Sequence, residues 1–115
     1  MAKYRVRATY KNETFEFNLY DHMRWLTLLY KTGGITLGKN TVHIKYVLEF
    51  FLYYNPNIIG HEAVHVLQAR ELGWKFLPTY LWQALRAGLV KRKIPMEIEA
   101  YDNEHLVTWE ILDQQ

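Results

Sequence analysis

His61-Glu62-Ala63-Val64-His65 puts two imidazoles four positions apart, with a carboxylate directly after the first. In a helix, positions i and i+4 stack on one face about 5–6 Å apart, so the two rings can share one metal ion. Neutral imidazole suits zinc, which lowers the pKa of a bound water toward about 7. Glu62 sits about 100° around the helix from His61, where it reaches that water rather than the metal. His61 and His65 are therefore expected as metal ligands and Glu62 as a general base for hydrolysis.

A catalytic zinc needs a third protein ligand and one open position. With no cysteine in the chain, that ligand must be another histidine or a carboxylate. The residues after His65, Val66-Leu67-Gln68-Ala69-Arg70-Glu71-Leu72-Gly73, lack the histidine that the longer three-histidine motif requires, which leaves a carboxylate. Glu97 and Glu99 both stand in Pro95-Met96-Glu97-Ile98-Glu99-Ala100-Tyr101-Asp102-Asn103-Glu104. Being two apart on a helix, only one of them can face the metal.

The elements around these residues follow from periodicity and punctuation. Tyr4, Val6, Ala8 and Tyr10 alternate with polar residues, as do Phe15, Phe17 and Leu19, which predicts a hairpin turning near Lys11-Asn12-Glu13. That register would set Arg5 and Arg7 near Glu16. Asp21 reads as the N-cap of an amphipathic helix through about Lys31. Ile35-Thr36-Leu37, the turn Gly38-Lys39-Asn40 and Thr41 to Tyr46 read as strand, turn, strand; Val47 to Tyr54 is ambiguous. Pro56 opens the helix that carries the histidines, with Gly73 at its stop, and a further helix fits Pro78 to Ala87, stopped by Gly88. Pro95 then opens a last helix, read from about Met96 to Leu112.

Composition places the chain among single globular domains, here residues 1–115, and the strands and helices just read make it an α+β domain: half of the 115 residues are hydrophobic, 23% are charged, and the formal net charge is +2. That charge is too balanced for a nucleic-acid-coating surface, and Lys91-Arg92-Lys93 reads as a solvated connector. The first residues hold no apolar core of a secretory signal, and no run approaches the roughly 20 apolar residues of a membrane span. A cytoplasmic location and no membrane partner are the expectations.

Taken together, Ile35-Thr36-Leu37-Gly38, the His61 to His65 motif followed by Gln68, Gly73-Trp74-Lys75-Phe76-Leu77 with Tyr80, and Glu97-Ile98-Glu99-Ala100-Tyr101 resemble the small gluzincin-type metallopeptidases called minigluzincins. The resemblance spans roughly residues 34–104. It implies a zinc peptidase with a small mixed sheet, a backing helix, an active-site helix, a connecting helix and a glutamate helix. It makes His61, His65 and Glu99 the zinc ligands and Glu62 the general base, and it points to Asn103, or Asp102 beside it, as support for a ligand histidine. Helix position agrees on Glu99, since Glu97 in the first turn already has a role beside the exposed N–H groups. The resemblance further implies a peptide or protein substrate that adds as an extended strand to an edge strand, matched here by Thr41 to Tyr46.

Other residues have plainer readings. Gln68 shares the face of the two histidines and either lines a cleft or packs. His22 and His43 read as structural or surface residues, and His105 is turned away from Glu99. Tyr46, Tyr80 and Tyr101 are candidates to stabilise an oxyanion or simply core. Phe50, Phe51, Tyr53 and Tyr54 read as core or a homo-oligomer surface. Latency is expected from a chain end, with Asp113-Gln114-Gln115 or Met1 to Tyr20 covering the cleft.

Overall fold

The computed structural model describes residues 3–21, 34–36, 41–44, 52–53 and 56–114. The expected helix from Asp21 to Lys31, the turn at Gly38-Lys39-Asn40, His22, Tyr46, Phe50, Phe51 and Tyr54 fall wholly or nearly so outside these residues. Within them the chain is α+β: strands β1 (Lys3–Tyr10), β2 (Glu13–Tyr20), β3 (Gly34–Thr36), β4 (Thr41–Ile44) and β5 (Thr108–Gln114), and helices α1 (Ile58–Leu72), α2 (Phe76–Arg86) and α3 (Pro95–Asn103). The strands form one mixed sheet in the order β3-β4-β2-β1-β5, with β2 and β4 parallel and the other pairs antiparallel.

The hairpin closes over two residues, Lys11 and Asn12, at φ 53° and 62°. Left-handed conformations at both positions give the turn twist that matches the strands. The alternation then sends Tyr4, Val6, Ala8, Tyr10, Phe15, Phe17 and Leu19 to one face, while Arg5 and Arg7 meet Glu16 on the other at 2.8 and 3.3 Å. Against the apolar face lies α1, in which every residue from Ile58 to Ala69 is buried. A helix enclosed on all sides is apolar nearly all round, and each fully buried aliphatic side chain contributes about 1.5–3 kcal/mol relative to exposure. The polar exceptions inside it, His61, Glu62, His65 and Gln68, are thereby held in the interior.

Gly60 lets α3's continuation come close. A Cβ on it would stand 2.4 Å from the Glu104 carbonyl oxygen, so the backbone of the 3-10 turn Glu104–Leu106 rests directly on α1. Gly73, at φ 61°, turns the chain out of α1 through a short 3-10 turn into α2. Ala69, Phe76, Ala84, Ile94 and Met96 form a second, smaller core that ties α1, α2 and α3 together.

Two expectations are corrected. The last helix does not run to Leu112 but ends at Asn103, and residues 108–114 form β5 along β1, with a register irregularity between Arg5 and Val6. The exposed edge of β1 offers unpaired backbone groups to a segment containing Thr108, Trp109 and Ile111, and tertiary pairing overrides helical pattern. Nor is Thr41–Ile44, the described part of the Thr41 to Tyr46 segment, an edge: it is enclosed between β2 and β3, and among the described residues the outer strand on that side is β3. Which member of that strand pair lies outermost depends on which one meets β2, a long-range choice that local pattern does not encode.

Candidate metal centre

α1 brings the His61 and His65 rings to 5.0 Å between centroids, and α3 brings a carboxylate to both. Glu97 Oε1 is 2.9 Å from His61 Nε2 and 2.7 Å from His65 Nε2, and Glu97 is wholly buried. One donor atom from each of the three residues lies within 4.8 Å of the other two. The Tyr80 hydroxyl, from α2, donates to the remaining carboxylate oxygen at 2.5 Å. The His65 ring also has Phe76 and Tyr80 edge-on at 6.5 and 6.2 Å, while Tyr101 packs 4.6 Å from His61.

The far nitrogens of both rings are committed. His61 Nδ1 is 2.9 Å from Glu104 Oε2, and a carboxylate oxygen can only accept. His65 Nδ1 is 2.8 Å from Gln68 Oε1. The Gln68 orientation is set independently, because its Nε2 donates to the Met96 carbonyl at 3.0 Å and to Glu99 Oε1 at 2.8 Å. Both Nδ1 atoms therefore carry hydrogen, and each neutral ring presents a lone pair at Nε2. Two lone pairs and an anionic oxygen converge on one buried point, a set that a cation reconciles: protons in its absence, or one metal ion. The donor set fits zinc, two imidazoles and a carboxylate being a known catalytic combination.

The field of this cluster shows in His65. Burial alone disfavours its charged form, but hydrogen bonding to Glu97 and the charges of Glu62 and Glu97 outweigh burial and hold the imidazolium above the usual range. Glu62 is 2% exposed and lies close enough to His65 to contribute to that field. Tyr101 is held above the usual phenol range, first by burial and then by Glu97.

Glu99, expected at the histidines, is elsewhere. Its Oε2 accepts from Lys11 Nζ at 2.9 Å and from the Tyr10 hydroxyl at 3.4 Å, at the hairpin tip, and its Oε1 accepts from Gln68. Burial raises the Glu99 carboxyl pKa, and those partners more than offset it, leaving the pKa below the usual range. The reason is helical phase. Glu97, Ala100, Tyr101 and Glu104 sit at i, i+3, i+4 and i+7, and that stripe, with the small Ala100 fully buried, is the one turned to α1. Glu99 is about 200° away from Glu97 and meets the hairpin instead.

Support for the two histidines also differs from expectation. Asn103 Nδ2 donates to the Glu99 carbonyl at 2.8 Å, Asp102 is exposed, and it is Glu104 that holds His61. The spacing Glu97-Ala100-Glu104 was the available signal for both glutamates. His43 stacks on Tyr20 at 5.2 Å and lies outside the cluster, as does the exposed His105. The Asp113-Gln114 end is paired along β1 as the last part of β5. Compared with known proteins, the chain matches no family model, no curated protein and no solved structure.

Proposed function

We propose that this chain is a zinc-dependent peptidase of minimal size, a gluzincin-like domain in which His61, His65 and Glu97 hold the metal and Glu62 is the general base. The observation that carries this reading is the convergence of both Nε2 atoms on one oxygen of a fully buried carboxylate, with both Nδ1 atoms already engaged. Zinc bound there supplies Lewis acidity to a water and to a substrate carbonyl. Glu62 accepts the proton of the attacking water and delivers it to the leaving amine. Tyr80 orients the Glu97 carboxylate through its hydroxyl. Gln68 and Glu104 keep the two imidazoles in the tautomer that binds metal. An extended peptide adds to β3, which is an outer strand of the described sheet and runs beside α1.

A second reading has a specific observation in its favour. His61, Glu62, His65 and Glu97 are all buried, whereas a catalytic zinc keeps an open position, so the same set also suits a closed structural metal in a catalytically silent interaction module. Metal analysis together with cleavage of a broad peptide library separates the readings. The peptidase requires one zinc per chain, cleavage by the wild type, and loss of cleavage in Glu62→Gln with zinc retained. Stoichiometric zinc with no cleavage assigns the silent module. Substoichiometric zinc with no rise in Tm on adding it overturns both.

A further inference from the structure

Helix α2 carries two apolar stripes where one would complete the core. Phe76, Tyr80 and Ala84, at i, i+4 and i+8, face inward. Leu77, Leu81 and Leu85 repeat the same spacing one position on, and all three are exposed. At 100° per residue these leucines and Trp82 fall within an arc of about 140° on the outer side of the helix. Trp74 before the helix and Leu89 and Val90 after it extend the surface, with Trp74 81%, Trp82 61% and Leu81 59% exposed. A continuous outward apolar face of this kind marks a binding surface rather than scattered surface leucines.

The charge around it selects the partner. From Leu72 to Met96 the sequence has five Lys or Arg residues, Lys75, Arg86, Lys91, Arg92 and Lys93, and no Asp or Glu. Both of these indoles are paired with a cation: Lys75 Nζ lies 5.8 Å from the Trp74 ring centre and the Arg86 guanidinium 6.0 Å from that of Trp82. Indoles beside cations above a leucine stripe match the depth profile of a lipid interface, where rings sit at headgroup level and cations meet phosphate. Two copies meeting through this face would bring together ten cations without an acidic residue from the stretch between them. No helix among the described residues is long and apolar enough to cross a membrane, so the contact would be peripheral.

We propose that the outer face of α2, with Trp74 and Leu89, is a peripheral docking surface for an anionic phospholipid bilayer. The test is flotation of the full chain with vesicles of phosphatidylcholine alone or with about one-third phosphatidylglycerol, at low and physiological salt. Binding is expected on the anionic vesicles, with little on phosphatidylcholine alone. Leu81→Glu combined with Trp82→Glu should weaken it at least about tenfold, and Lys75→Gln or Arg86→Gln about fivefold each, the effects of the two charge variants shrinking with salt. Circular dichroism melts identify any variant that fails to fold, and the two charge variants then decide. Absence of flotation, equal binding to both vesicle types, or binding indifferent to all these substitutions overturns the proposal. A concentration-dependent dimer in sedimentation that Leu81→Glu abolishes would give the face to a second copy instead.

Discussion

Gln68 Oε1 stands 2.8 Å from His65 Nδ1 and decides which nitrogen of that ring carries the hydrogen. The amide cannot turn over, because its other end donates to Met96 and Glu99. Replacing it with Leu should leave the ring without a fixed tautomer and lower zinc affinity about 10–100-fold. Competition with a chromophoric chelator measures this, and an unchanged affinity would show that Gln68 only packs.

The two glutamates of α3 are expected to separate cleanly. Glu97→Ala removes one of the three proposed ligand atoms and should lower zinc affinity by well over the roughly 100-fold that loss of a supporting residue causes. Glu99→Ala reaches the histidines through Gln68 and should stay within that range. The reverse ranking in the same chelator competition would refute the helical phase described for α3.

The pH dependence should change sign with metal. His65 has its folded pKa raised, so its contribution to the stability of the metal-free chain is complete below the ordinary imidazole value and is lost as pH rises through the folded one. Zinc requires the same nitrogen unprotonated, so its apparent affinity falls as pH drops through that raised value. The Tm increment on adding zinc should therefore grow from acidic to mildly alkaline pH. A flat increment would show that His65 does not exchange a proton for the metal.

Gly60→Ala should destabilise the chain by about 1–3 kcal/mol, because the Cβ would have to displace the Glu104 backbone. It should also weaken zinc binding, since Glu104 holds His61. Gly73→Ala is the control: nothing lies within 4 Å of its Cβ, and its cost of about 1–3 kcal/mol comes from the positive-φ backbone at φ 61° and ψ −131° alone. Paired thermal melts and zinc titrations distinguish the two, and equal zinc affinities would separate the Glu104 contact from the metal centre.

The hairpin and the helix bearing His61, Glu62 and His65 were legible locally, because strand alternation, left-handed turns and i, i+4 stacking are set by near neighbours. So were the stops at Gly73 and Gly88, which take φ 61° and 65°. What lay beyond local pattern was everything decided by a partner far along the chain. Residues 108–114 became a strand because β1 had a free edge, and β4 became internal because it, rather than β3, met β2. Glu97 and Glu99 differ by two positions and share a helix, yet only the rotation at which α3 packs on α1 sends one to two histidines and the other to Lys11. Residue types and spacing thus determined that two imidazoles share one helix face, and tertiary packing decided which carboxylate meets them, because helical phase becomes a direction in space only when a neighbouring helix is in place.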